Sequence, residues 1–163
     1  MKSQLLVFFF SLALTLPAQD YATIGFKGKV HTGPDKGDSV EVVLFEENRK
    51  MSSYETRKNG KFILDLDRNK YYVVQFSKEN YVTKRIVIDT RIDGKGYPKK
   101  KFKFDVNLIP ENEDLDYSAL DFPIAIIEYN RNNDVFDYDF EYTRARAKEE
   151  QELVERDPYL AMN

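Results

Sequence analysis

Of 163 residues, 25 are Lys or Arg and 28 are Asp or Glu, so the formal charge of −3 offers no global basic field to draw in nucleic acid. The absence of Cys and the single His remove disulfide frameworks and the usual zinc and haem ligand sets. With 12 Phe, 11 Tyr and no Trp, the composition suits pleated, half-buried surfaces and leans towards a β fold.

Residues 1–18 read as a secretory signal peptide. Lys2 sits in a short polar start, an apolar run (LLVFFFSLALTL) fills 5–16, and Ala18 closes a cleavage-like end. The run is short for a membrane helix, which needs ~20 apolar residues. The alternative is an uncleaved N-terminal anchor. No Cys follows the run to carry a lipid, and no transmembrane segment is expected after cleavage. Losing Lys2 leaves 24 basic against 28 acidic residues. The rest of the chain fits one domain with an appendage, residues 22–109 and 110–163.

Seven strands follow in short order. In 23–30, Ile24, Phe26, Gly28 and Val30 share one face, with Lys27 and Lys29 on the other. Gly28 within it suggests a close backbone approach. The loop 31–38 (HTGPDKGD) precedes a strand at 39–45, where Val40, Val42 and Leu44 alternate with Glu41, Val43 and Phe45. A polar stretch, 51–57, reads as an edge strand. Asn59-Gly60 is a tight-turn signal, because both residues tolerate positive φ. It introduces Phe62, Leu64 and Leu66 in alternation, then the turn 67–70 and the aromatic and β-branched run 71–77. This stretch predicts a β-hairpin, with 71–77 apolar on both faces and therefore central. Residues 81–88 form the next strand, where Lys84 interrupts the apolar face. After a basic loop, Phe102, Phe104, Val106 and Leu108 give the seventh. Seven strands at this spacing indicate an antiparallel sandwich.

After Pro110 the pattern changes. Residues 111–116 are acidic and read as a flexible, solvated connector; 124–129 and 135–138 predict a short strand pair. From Asp139, which is placed to cap, the spacing becomes helical. Arg146/Glu150 and Glu152/Arg156 stand at i,i+4, and Pro158 ends the pattern. The apolar side is sparse, which predicts a helix that projects rather than packs.

The order Gly28-x-Val30, Val40-x-Val42-x-Leu44, Asn59-Gly60-x-Phe62-x-Leu64-x-Leu66, Tyr71-Tyr72-x-Val74 and Ser77-Lys78-x-x-Tyr81 resembles carboxypeptidase regulatory-like domains. The likeness covers residues 24–108. It implies a seven-stranded Greek-key antiparallel β-sandwich of the transthyretin-like type, here with a C-terminal strand pair and one α-helix. It also implies an exported Gram-negative protein (periplasmic, outer-membrane associated or secreted) and a binding module rather than an enzyme. The loop before Val40 departs from that pattern, and the tail from Glu111 lies outside it.

Candidate chemistry is sparse. His31 has no recognisable nucleophile or orienting partner, so no catalytic residue is assigned and catalysis is not expected. Asn130, Asn132, Asp134, Asp137 and Asp139 alternate as calcium ligands would. However, Val135 stands where an EF-hand loop needs Gly, so a polar hairpin turn is the simpler reading. No metal or cofactor is expected. A connector at 111–116 is a poor holder for a glycosidase's paired carboxylates. The candidate interaction surface comprises Lys99, Lys100 and Lys101 of the basic loop with Tyr117, Phe122, Tyr129, Phe136, Tyr138 and Tyr142 of the C-terminal third; core packing of those rings onto the sandwich is the alternative. The expected function is a non-catalytic binding or assembly module of the cell envelope, with an envelope protein as partner. The alternative is a carbohydrate-binding module that stacks polysaccharide on exposed Tyr.

Overall fold

The computed structural model describes residues 23–33, 37, 39–92, 98 and 101–157. The signal assigned to 1–18, Lys99, Lys100 and Pro158 lie outside the described residues. No helix of the described residues is long and apolar enough to cross a membrane. The chain is mainly β: two sheets face one another, with a C-terminal strand pair and one α-helix. The strands are β1 (Thr23–His31), β2 (Glu41–Glu46), β3 (Arg49–Glu55), β4 (Lys61–Asp67), β5 (Tyr71–Ser77), β6 (Lys84–Asp89), β7 (Phe102–Lys103), β8 (Val106–Asn107), β9 (Ala125–Asn130) and β10 (Val135–Tyr138). A 3-10 turn spans Ser118–Asp121, and α1 is Phe140–Arg156. The predicted seventh strand is present but divided, with Phe104 and Asp105 between β7 and β8.

The small sheet runs β4-β1-β7, with β8 also on β1; the large one runs β10-β9-β6-β5-β2-β3. Most pairs are antiparallel, but β1 meets β7 and β8 in parallel, as β6 meets β9. The C-terminal pair therefore extends the large sheet, and Ala125, Ile127 and Phe136 join the core. Rings bridge the layers: Phe62 of β4 lies 5.2 Å from Phe76 of β5, and Phe26 of β1 lies 5.1 Å from Phe136 of β10. Each such pair adds about 0.5–1.5 kcal/mol beyond its buried area.

The predicted hairpin over 59–81 does not form. Both of its strands exist, but β4 pairs with β1 in the small sheet and β5 with β2 and β6 in the large one. The Asn59-Gly60 turn is real: Gly60 has φ +66 and Asn59 Oδ1 accepts from Lys61 N at 3.2 Å. It carries the chain from β3 in one sheet to β4 in the other. The turn 67–70 then crosses back and is tied to Thr90, whose hydroxyl donates to Asp67 O (2.8 Å) or Lys70 O (2.9 Å) and accepts from Lys70 N (3.0 Å). Alternation specifies which face is buried, not which strand is the neighbour.

Gly28 makes the approach that its place in the strand suggested. A Cβ there would run into the backbone carbonyl of Phe104. That contact brings the β7–β8 break over β1, where Phe104 N donates to Lys27 O at 3.1 Å.

Helix α1 buries no residue fully, yet it does not project. Asp139 caps it, accepting from Tyr142 N at 3.0 Å. Tyr142 donates its hydroxyl to Pro123 O at 2.7 Å, and Arg146 donates to Ala119 O. Glu150 does not take the predicted i,i+4 pair with Arg146. It receives Lys84 Nζ at 2.5 Å, and Arg146 turns to Glu149. Lys84 is 2% exposed at the start of β6, which explains an apolar face interrupted by a cation. The connector 111–116 is likewise ordered: Glu111 N donates to Asn80 O, and Asn112 and Asp116 side chains accept from Asp114 N and Ser118 N.

Burial pushes the Lys84 ammonium below the ordinary Lys range, against the opposing pull of the Glu150 charge. The unfolded chain then binds more protons than the folded one, so this site's contribution to stability rises with pH through the window below 10.5. Glu150→Ala leaves a buried cation alone and should cost about 2–3 kcal/mol in urea unfolding. The double change Lys84→Met/Glu150→Leu should return to within about 1 kcal/mol of the parent. Gly28→Ala should reach the upper end of the about 1–3 kcal/mol that overpacking costs, read the same way.

Candidate functional site

Of the nine side chains singled out in the sequence, the seven among the described residues do not form one surface. Phe136 is core, 4% exposed, and Tyr129 and Tyr138 pack against the same cluster. Tyr129 stacks edge-on to Phe136 at 5.8 Å and Tyr138 to Phe102 at 5.5 Å. Of the two readings the sequence leaves open for these three rings, core or interface, the core is where β9 and β10 place them. Tyr117 is half-buried, its hydroxyl accepting from Asn112 N at 3.3 Å. Desolvation raises its pKa. It lines a cleft of about 480 Å³ between 81–85 and 111–121.

Two of the nine do come together. Phe122 is 61% exposed, with the Arg146 guanidinium 5.6 Å from its ring centre. Tyr142 is held to the neighbouring Pro123 by its hydroxyl, and burial raises its pKa. The most exposed ring among the described residues, Phe140 at 68%, begins the helix two residues before Tyr142. As the first residue after a capping Asp, Phe140 lies in a turn with few neighbours to bury it.

The carbohydrate-stacking alternative loses most of its rings. Tyr72 is buried, and Tyr81, Tyr129 and Tyr138 lean on the core, so among the described residues Tyr54 (38%) and Tyr71 (44%) are the tyrosines left well exposed. Tyr54 also spends its hydroxyl on Ile63 O at 3.2 Å.

Lys101 belongs elsewhere, on the outer face of the small sheet. Its stem lies across Gly25 and its Nζ meets Asp65 Oδ1 at 3.0 Å. Strand pairing places Lys27 beside Lys103 and Lys29 beside Lys61 on that same face. Lys27, Lys29, Lys61 and Lys103 surround a groove of about 440 Å³ that also holds Ile63, His31 and Asp105. Asp105 accepts from Lys29 N at 2.9 Å, and its other oxygen lies 3.3 Å from His31 Nε2. Lys27, Lys29 and Lys61 were missed as site residues because each is only the polar half of a local alternation.

The acidic C-terminal turn holds its carboxylates apart. Asp134 meets the Tyr129 hydroxyl, Asp137 accepts from Tyr138 N and Asp139 caps the helix. Among the described residues no three His, Asp or Glu side chains group as metal ligands would.

No family model matches the chain, and no curated protein is detectably similar to it. Solved structures are similar at a distance. 3-Chlorocatechol 1,2-dioxygenase from Rhodococcus opacus shows 11% identity and a TM-score of 0.42 over 59% of this chain and 62% of its own. A protein named S.CueP gives 11% and 0.38 over 55% of this chain and 64% of its own. A point mutant of catechol 1,2-dioxygenase from Acinetobacter radioresistens gives 14% and 0.37 over 61% of this chain and 55% of its own. The chain thus spans less than two thirds of each. Two of the three are enzymes by name, and the expectation that this chain is not one is withdrawn. At this distance the likeness assigns no reaction here.

Phe136→Ala should destabilise the protein by about 3–5 kcal/mol. Phe122→Ala and Phe140→Ala should each stay within about 0.5 kcal/mol. Thermal and urea unfolding of the three variants separates core from surface rings directly.

Proposed function

We propose that the chain is an exported binding or assembly module of the bacterial cell envelope, with an envelope protein as its partner. Support for export comes from the apolar run 5–16 behind Lys2 and the cleavage-like Ala18. The compartment is the periplasm, the outer membrane or the exterior. We also propose that its sandwich is of the carboxypeptidase regulatory-like type, on the order of motifs from Gly28 to Tyr81. The observation that carries the binding reading is the exposure of two large rings, Phe122 at 61%, beside Arg146, and Phe140 at 68%. Isolated monomers gain nothing from large rings in water, whereas aromatic and Arg side chains dominate interface energetics. The Tyr142–Pro123 bond fixes the two ring-bearing segments to each other, so little ordering remains to be done on docking.

A photo-crosslinking residue placed at 122 or at 140 in the full chain should capture the same envelope protein in cells. The same residue placed at Glu47, on the exposed β2–β3 turn, should not. The combined variant Phe122→Ala/Phe140→Ala should keep its melting temperature and lose that partner on co-purification. Equal capture at 47, or retention of the partner by the double variant, overturns the reading. Detection of the unprocessed N-terminus in the mature protein would overturn cleavage.

A further inference from the structure

We propose that the outer face of the small sheet binds a linear acidic polysaccharide, through the amines of Lys27, Lys29, Lys61 and Lys103. The site lies apart from the exposed rings and does not rest on the reading given to them.

The argument starts from register. Lys29 stands directly opposite Lys61 across β1 and β4, and Lys27 directly opposite Lys103 across β1 and β7. Like charges in these positions destabilise a sheet, so folding alone gives no reason to place two such pairs side by side. Among the described residues none of the four amines has an ion-pair partner. The carboxylates on the face are already engaged: Asp65 with Lys101, Asp105 with Lys29 N and His31, and Asp67, at the end of β4, with Lys70. Apart from the Asp67–Lys70 pair at the end of β4, the described residues of this face set five lysines (Lys27, Lys29, Lys61, Lys101 and Lys103) against two aspartates (Asp65 and Asp105), an excess of three positive charges in a chain whose overall charge is −3. The charge is therefore segregated, and an acidic occupant is the complement.

The geometry narrows the occupant. Neighbouring strands are about 4.8 Å apart and alternate residues on a strand about 6.8 Å, so the amines form a two-dimensional ladder suited to repeated charges on an extended chain. The groove of about 440 Å³ between them is open, with Gly28 in its floor. No Arg lines it, so the planar fork that reads phosphate bidentately is missing. Its aromatic side chain, Phe62, is 2% exposed and cannot stack a base. Ile63 alone offers an exposed apolar side chain, too little for insertion into a bilayer. Point charges that meet carboxylates or sulfates spaced along a polymer fit what remains.

Full-length mature protein should bind polygalacturonate at low ionic strength and not the uncharged polymer dextran, measured by affinity electrophoresis and calorimetry. Affinity should fall steeply with salt. Lys27→Glu/Lys61→Glu should weaken binding at least about tenfold, by the same electrostatic logic that couples charge contacts to affinity in other polyanions. The change at Lys61 also sets opposite charges across from Lys29, so the melting temperature should hold or rise, which separates lost binding from lost folding. Lys50→Glu/Lys148→Glu carries the same change in net charge away from this face, at exposed lysines of β3 and α1, and should bind as the parent does. Absence of parental binding to polygalacturonate, equal loss in the control pair, or tighter binding to phosphatidylglycerol vesicles or oligothymidylate would each overturn the proposal.

Discussion

The two sheets share no strand ladder, so the sandwich depends on rings packed between its layers. Phe62 touches Phe76 on one side and Phe104 on the other, at 5.2 and 5.0 Å. Phe26, fully buried, reaches Phe136 at the far edge of the large sheet and Phe102 within its own. Backbone links between the layers include the isolated bridge Tyr81–Pro110 and the bond from Val82 N to Ile109 O beside it. Side-chain packing tolerates no slip, because a one-residue shift of β1 or β4 would send Phe26 or Phe62 into water and a lysine into the core. The unusual Phe content is thus explained by architecture.

That dependence also explains what could be read from the sequence. The inner faces were legible residue by residue: Ile24, Phe26 and Val30, then Phe62, Leu64 and Leu66, then Tyr72, Val74 and Phe76 are all buried as alternation requires. Strand partners were not legible. Asn59-Gly60 satisfies turn chemistry locally whether the chain then pairs backwards or crosses to another layer, and here it crosses. Lys84 looked like a flaw in β6 because its counter-charge, Glu150, is 66 residues away on an element whose own spacing offered a nearer partner. The C-terminal rings looked exposed for a similar reason. Few aliphatics surround them in sequence, but β9 docks in parallel on β6 and supplies the missing neighbours.

Helix α1 shows a second way of attaching an element. It has no fully buried residue, and its contacts to the body are polar: Tyr142 to Pro123, Arg146 to Ala119, Glu150 to Lys84 and Asp157 to Asn112. Hydrophobic burial is forgiving of small rotations, whereas charged and hydrogen-bonded contacts are directional. A helix attached this way is fixed in orientation while its outer side remains free for polar residues. The cost is desolvation of Lys84, which a same-sized apolar residue would avoid. What the ion pair supplies instead is a single registration of helix on sheet, and with it the placement of Phe122 beside Arg146.

The small sheet carries the opposite arrangement on its outside. Its inner face is committed to rings, so β1 has no freedom to shift register and relieve the lysines facing one another across it. Lys29 and Lys61 are held opposite by the same ladder that buries Phe26 against Leu64. Repulsion of this kind is small for solvated amines, a fraction of the stability the rings provide, and can therefore persist without unfolding the sheet. Persisting is not the same as being required. Any of these four positions could hold Thr or Gln with a gain in stability, whereas a polyanion laid along the ladder would turn each repulsive pair into two attractive contacts. The aromatic seam supplies the rigidity, and that rigidity lets one face of a weakly acidic protein keep its positive charges together.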